Sequence, residues 1–144
     1  MTGETDLHKL ISQMRPMLDP EPYVFCTFAG KTMTELADYA PVGLFAETEG
    51  VSAILPVERA RELGLADAEW MSRITLTVHS CLAAVGLTAA VSGALAEAGI
   101  PANVVAAYFH DHVFVPERLA QEALQCLADL AAGRGNASSR GVIK

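Results

Sequence analysis

The sequence predicts an α+β fold made of two tandem ferredoxin-like modules, each a βαββαβ sandwich with helices packed on a sheet. Two observations predict it. From residue 73 to residue 130 the pattern reads strand, helix, strand, strand, helix, and a shortened version of that order precedes it. Both halves also contain a hairpin followed by proline, Glu-Arg and a helix, in the strings LPVER around Pro56 and VPER around Pro116. A repeat of this kind creates an interface between its two modules.

The first module begins with a helix over residues 6–14, whose apolar side chains recur at three- and four-residue spacing. Pro16 and Pro20 are expected to end this helix, because proline lacks the amide that a helix interior needs. The string YVFCTF over residues 23–28 is aromatic and β-branched enough to predict a strand. A short segment around Leu36 follows it.

A hairpin and a helix complete the first module. Residues 42–45 and 51–55 predict the two strands of the hairpin. The following helix covers residues 57–63, and Gly64 is expected to close it, because a residue without a side chain suits a left-handed C-terminal cap.

A long stretch without any Lys, Arg, Asp or Glu runs over residues 74–95. Its first part alternates apolar and polar side chains with period two, which predicts a strand over residues 70–78. The remaining part, residues 83–98, is shorter than the roughly 20 residues that a membrane span needs. It is rich in Gly, Ala, Ser and Thr, so it predicts a helix buried on nearly all sides by a sheet and by another module or subunit.

The second module ends with a hairpin and an amphipathic helix. Gly99 stops the small-residue helix, and strands are predicted over residues 103–109 and 113–115. Pro116 opens the last helix, in which apolar residues recur at three- and four-residue spacing up to Leu130.

The domain organisation follows from this order of elements. We expect an N-terminal module with its leading helix over residues 1–68, a C-terminal module over residues 69–132, and a disordered Gly- and Ser-rich tail over residues 133–144. The chain has 51% hydrophobic and 19% charged residues, which is more apolar surface than one small domain readily hides. Part of that surface is expected at an interface, and we expect a homodimer.

Charge and cysteine usage restrict the partners and the compartment. A formal net charge of -7 repels phosphate backbones and anionic lipid surfaces, so neither nucleic acid nor a membrane is an expected partner. The three cysteines, Cys26, Cys81 and Cys126, have no C-x-x-C spacing. The N-terminal segment lacks a basic stretch followed by an apolar one, so a reducing cytoplasm is the expected compartment.

Two pairs of strings resemble the ACT-domain family of small-molecule regulatory modules. The second half, SRITLTVHSCLAAVGLTAAVSGALAEAGI followed by NVVAAYFHDHVFVP, is similar to an ACT domain. In the first half, YVFCTF and PVGLFAETEGVSAILP resemble the N-terminal partner in short stand-alone bacterial proteins with two fused ACT-like modules. The resemblance implies a non-catalytic regulatory protein that binds a small molecule, an amino acid above all, at an interface between modules.

The same resemblance implies which residues contact the ligand. They lie in the turn after the first strand of the second module, at the start of its helix, on its second strand, and on the matching strand of the first module: His79, Ser80, Gly86, Leu87, Thr88, Asn103, Val104, Gly43, Leu44 and Phe45. The first amides of the helix lack intrahelical partners and can receive a carboxylate. Each candidate also has a structural interpretation, with Gly86 ending a strained turn, Asn103 satisfying backbone after Pro101, and Thr88 capping the helix.

Two other classes of site remain open from the residues alone. His110 and His112, with His79 and Cys81, are good ligands for zinc or copper, although Asp111 between them also suits a turn. Cys81 beside His79 has no third orienting group for nucleophilic catalysis. Because the sequence has no Gly-rich phosphate loop, nucleophile elbow or H-E-x-x-H motif, we expect no enzyme, no metal and no cofactor. The alternatives are a protein-interaction module with a degenerate pocket and, less favoured, a metal-binding protein.

Overall fold

A computed structural model describes residues 3–78 and 86–134 of the chain. In that part of the chain the helices are α1 (Gly3–Gln13), α2 (Met33–Leu36), α3 (Val57–Glu62), α4 (Leu87–Glu97) and α5 (Ala120–Ala131). Single-turn 3-10 helices lie at Ala37–Tyr39 and Glu117–Leu119. The strands are β1 (Pro16–Phe28), β2 (Gly43–Glu47), β3 (Gly50–Pro56), β4 (Met71–Leu76), β5 (Asn103–Ala106) and β6 (Asp111–Pro116). This mixed α+β architecture confirms the predicted fold class.

The chain divides into two compact units. The terminal unit contains Met1–Asp19 and Arg73–Lys144, and the central unit contains Pro20–Ser72. The predicted limits of the two modules and of the tail, at residues 68/69 and 132/133, stay a prediction. Residues 135–144 of that tail lie outside the described part of the chain.

The central unit is built on the strand order β2-β3-β1. Both pairs are antiparallel, with Tyr23 opposite Pro56 at one end of the β1–β3 ladder and Gly43 opposite Ile54 in the β2–β3 ladder. Alternate residues of these strands face one core. The buried core residues are Val24, Ala53, Leu55, Val57 and Ala60.

Local sequence explains two features of the central unit, the start of α2 and the glycine that begins β3. A capping box begins α2, because the amide of Glu35 donates to Thr32 Oγ1 at 3.2 Å and the amide of Thr32 donates to Glu35 Oε1 at 2.8 Å. Gly50 has φ +151, and a Cβ atom there would lie 2.7 Å from the carbonyl oxygen of Phe28. Only glycine therefore fits the close approach of β3 to the end of β1.

The terminal unit has the strand order β1-β4-β6-β5, with the residues of β1 up to Asp19 taking part. Strands β5 and β6 are antiparallel, with Asn103 opposite Phe114. Helices α1, α4 and α5 pack on the same core as these strands. The buried core residues are Met14, Ile74, Leu76, Val78, Leu87, Val91, Leu95, Ile100, Val113, Val115, Ala123 and Leu127.

Strand β1 is longer than the sequence predicted. It begins at Pro16 and continues through Pro20 and Pro22, whereas the prediction started at residue 23. Proline ends a helix, but its fixed φ angle is compatible with extended backbone, and it removes only one donor from a ladder. The prediction treated two of these prolines as helix stops and overlooked that a strand can follow at once.

Helix α4 is buried along one stripe in the single chain, and the expected burial of its other face by another module or subunit stays a prediction. Leu87, Val91 and Leu95 form one buried stripe, while Thr88 and Gly93 are exposed. No helix within residues 3–78 and 86–134 is long and apolar enough to cross a membrane.

Candidate functional site

The start of α4 presents backbone amides without intrahelical acceptors. The first hydrogen bond of the helix runs from the amide of Ala90 to the carbonyl of Gly86, at 2.8 Å. The amides of Leu87, Thr88 and Ala89 precede this bond, so no carbonyl of the helix can receive them. Gly86 is the N-cap and supplies no side-chain cap. This helix start can therefore bind an anionic group such as a carboxylate.

The three predicted residues at this helix start differ in access. Leu87 is buried in the core of the terminal unit, whereas Thr88 is exposed. Gly86 adopts φ +102, which disfavours any residue with a side chain. Thr88 thus offers the one side chain of the three that can contact a ligand, while Leu87 can contribute only its backbone.

Leu7 of α1 contacts Gly86. A Cβ atom at position 86 would lie 2.9 Å from Leu7 Cδ2, which is closer than real Cβ contacts. The space beside Gly86 that a Cβ atom would enter is therefore occupied by the protein itself.

Asn103 and Val104 begin β5 and point to opposite faces of the sheet. Val104 packs against the core that the helices share, so Asn103 faces away from that core. Asn103 is exposed, and within the described residues no hydrogen bond joins it to the start of α4.

The predicted residues of the first module lie in succession on β2. Leu44 packs against the core of the central unit. Gly43 lies on the other face, where a Cβ atom would be 3.2 Å from Ile54 Cδ1. Phe45 shares that face and is 71% exposed. Of these three, only Phe45 has a side chain that a ligand can reach.

Three candidates of the sequence lie outside the described residues. These are His79 and Ser80 of the predicted ligand site and Cys81 of the metal and nucleophile alternatives.

The histidine pair that suggested a metal lies at the β5–β6 hairpin. Nδ1 of His112 lies 2.9 Å from Thr75 Oγ1, and the carbonyl of His110 accepts the amide of Ala107 at 3.1 Å. Burial lowers the pKa of His112, and the positive charges of Arg73 and His110 lower it further, while Asp111 acts in the opposite direction. Within residues 3–78 and 86–134, no group of three or more His, Cys, Asp or Glu side chains could hold a metal ion.

Sequence reasoning missed a cleft in the central unit. Its volume is about 400 Å³, within the usual range of small-molecule sites. We name it the Trp70 cleft, and it is lined by Pro20, Glu21, Pro22, Val57, Glu58, Arg61 and Trp70. These residues come from three separate segments of the chain, so no local sequence motif predicts the cleft. The single tryptophan of the sequence was the signal that could have found the cleft.

Comparison with known proteins places both halves of the chain in one family. Models of the ACT domain match residues 2–72 and residues 72–129. No curated protein sequence matches the chain.

Several solved structures resemble most of the chain. A Vibrio cholerae protein of unknown function, described as a possible transport protein, is 45% identical, with a TM-score of 0.81 over 90% of this chain and 99% of that one. An Agrobacterium tumefaciens protein is 15% identical, with a TM-score of 0.66 over 82% of this chain and 89% of that one. The regulatory subunit of aspartate kinase from Thermus flavus is 12% identical, with a TM-score of 0.58 over 80% of this chain and 95% of that one. The last two share the fold.

Proposed function

Since the chain belongs to the ACT-domain family, we propose that it is a regulatory protein that binds a small molecule, specifically an amino acid, at the start of α4. The observation that carries the proposal is the helix start at Gly86, which supplies no side-chain cap and whose amides are suited to the carboxylate of a ligand. The shared fold of the aspartate kinase regulatory subunit supports a regulatory role.

Thr88 is the residue of this site that we assign to ligand contact. Its side chain is exposed and it carries one of the amides without an intrahelical acceptor. A hydroxyl group can both donate and accept a hydrogen bond, so it can hold the carboxylate or the polar end of an amino acid. Asn103 faces away from the core below α4. It can therefore contact the ligand only if the ligand extends around the edge of the sheet at β5.

A charge placed at position 88 tests the proposal without harming the helix. In Thr88→Glu, a carboxylate at the second residue of α4 interacts favourably with the helix dipole, so the variant should fold. The same carboxylate repels the carboxylate of a ligand. We expect Thr88→Glu to lose the stabilisation that an amino acid gives to the unaltered protein.

Gln121→Glu is the matched control. Gln121 is exposed and is the second residue of α5, so this change adds the same charge at the equivalent position of another helix. The control should respond to the amino acid as the unaltered protein does. Full stabilisation of Thr88→Glu by the ligand would show that the start of α4 is not the site.

A second function, protein interaction, is favoured by the tip of the β5–β6 hairpin. Tyr108 and Phe109 are 79% and 62% exposed, and their ring centroids lie 5.0 Å apart at an interplanar angle of 74°. Large aromatic side chains are enriched in protein interfaces. The partner we assign to this surface is a second copy of the chain, which also accounts for the high hydrophobic content.

A further inference from the structure

Four of the seven residues that line the Trp70 cleft are held in place by the protein itself. Pro20 and Pro22 have a restricted φ angle, and Val57 is buried in the core of the central unit. The indole Nε1 of Trp70 donates to the carbonyl of Ala66 at 2.9 Å. Because this donor is satisfied within the protein, the ring offers a ligand only its apolar and π-electron surface.

A cation already lies against the ring of Trp70. The guanidinium carbon of Arg61 is 5.2 Å from the ring centroid, within the roughly 6 Å at which cation–π attraction acts. Among the described residues, Arg61 forms no ion pair. The ring face is therefore a surface on which positive charge is stabilised.

The charge around the cleft is negative. Glu21 and Glu58 are exposed and line it together with the one cation, Arg61. The central unit contains nine Asp and Glu residues and three Lys and Arg residues, so its formal charge is 3 − 9 = −6 out of −7 for the chain. A field of this sign raises the local concentration of cations.

We propose that the Trp70 cleft is a binding site for a small organic ammonium compound. Its ammonium group pairs with the carboxylate of Glu58, and its apolar body lies against Trp70 and the two prolines. This site is separate from the proposed amino-acid site, which lies in the terminal unit, so either can fail without the other.

The net charge of the ligand follows from the field of the central unit. Its formal charge of −6 favours a compound with a net positive charge over a neutral one. A zwitterion would need Arg61 to hold its negative group. For an ammonium compound, Arg61 is instead a competitor for the ring and for the carboxylates, and its removal should strengthen binding.

The internal repeat supplies a matched control for Glu58. Glu58 follows Pro56 in the string LPVER, and Glu117 follows Pro116 in the string VPER. Both are exposed, but Glu117 does not line the Trp70 cleft. Glu58→Gln and Glu117→Gln therefore remove the same charge at corresponding places of the two halves.

The test is a titration of the full chain with phenethylamine, followed by the fluorescence of the single tryptophan. We expect a saturable change whose affinity falls as salt is added, since salt screens charge pairs near the surface. Phenethyl alcohol, which has the same body and no charge, should bind at least several-fold more weakly. Equal affinity for the amine and the alcohol, or no saturable change with the amine, would overturn the proposal.

Variants then assign the roles of the charged residues. Glu58→Gln should weaken phenethylamine binding about two- to fivefold, as expected for an exposed charge pair, while Glu117→Gln and Thr88→Glu should leave it unchanged. Arg61→Gln should strengthen it. An equal loss in Glu58→Gln and Glu117→Gln would show a general field effect and no built site, and weaker binding in Arg61→Gln, with phenylalanine preferred to the amine, would show a zwitterion site instead.

Discussion

Leu7 lies against the backbone of Gly86, so that the first helix of the chain packs on the first turn of α4. A Cβ atom at position 86 would be 2.9 Å from Leu7 Cδ2, so a side chain there requires the end of the Leu7 side chain to move. Position 86 is therefore constrained by its backbone conformation and by its neighbour together.

We expect Gly86→Ala to destabilise the protein more than Gly99→Ala. Both glycines have positive φ, +102 and +75, so each substitution carries a backbone cost of about 1–2 kcal/mol. Nothing lies within 4 Å of a Cβ atom at Gly99, whereas Leu7 blocks the one at Gly86. Moving the end of the Leu7 side chain out of its rotamer should add about 0.5–1.5 kcal/mol, which urea unfolding would measure.

Combining Gly86→Ala with Leu7→Ala isolates the contact. If Leu7 is the obstacle, the double variant should be more stable than the sum of the two single effects predicts. If the two effects on the free energy of unfolding simply add, Leu7 does not obstruct a side chain at position 86.

His112 should make stability depend on pH. Burial and the charges of Arg73 and His110 lower its pKa in the folded state, so folding favours the neutral ring. Its contribution is present in full above the unfolded-state pKa of about 6.5 and is lost as pH falls through the lower folded-state pKa. Thermal unfolding between neutral and mildly acidic pH should therefore show falling stability.

His112→Gln should flatten this pH dependence. His8→Gln, at an exposed position of α1, is the control, because it removes a histidine without touching Thr75 or Arg73. An unchanged slope in His112→Gln would assign the pH dependence to other groups.

The ion pair of Arg73 and Asp19 should matter more than that of Arg59 and Glu62. The first has a separation of 2.8 Å and side chains only 24% and 20% exposed, while the second has 3.3 Å and 47% and 55%. Asp19→Asn should cost about 1–3 kcal/mol, because a charge-assisted hydrogen bond is weakened in a half-buried place. Glu62→Gln should cost less than about 1 kcal/mol. Chemical unfolding of both variants would check the order, and equal costs would contradict it.

The hairpin tip should control self-association without affecting folding. Replacing Tyr108 and Phe109 together by serine should leave the free energy of unfolding within about 0.5 kcal/mol per residue, because both side chains are exposed. Sedimentation equilibrium should show a dimer for the unaltered protein and a monomer for the double variant. A double variant that stays dimeric would place the interface elsewhere.

The sequence predicted those elements that local chemistry determines. The spacing of apolar residues and the position of Gly64, which has φ +71, predicted α3 and its end. The alternation of apolar and polar residues over residues 70–78 predicted β4. It failed where the outcome depends on distant parts of the chain. Two prolines of β1 were interpreted only as the end of a helix, although pairing with neighbouring strands holds that segment extended.

In the candidate site, too, local features could be predicted from the sequence, whereas contacts between distant residues could not. That Gly86 lies near the start of a helix could be predicted from the sequence, although the predicted helix began at residue 83 and α4 begins at Leu87. The contact of Gly86 with Leu7 joins residues 79 positions apart and could not be predicted. The Trp70 cleft likewise combines three separate segments. Because side chains alternate along a strand, Asn103 and Val104 must point to opposite faces of the sheet. Which of the two contacts the core depends on where the helices pack, and the sequence did not show that.

The most direct test of the account is the melting temperature of the unaltered protein with each common amino acid, and with the carboxamide of any that binds. At 100 times the dissociation constant, a ligand of the native state adds about 2.7 kcal/mol, which raises the melting temperature by about 5–10 °C. We predict such a rise for one class of amino acid and none for its carboxamide, because the amides at the start of α4 bind the carboxylate. No rise with any amino acid, or an equal rise with the carboxamide, would contradict the proposed function.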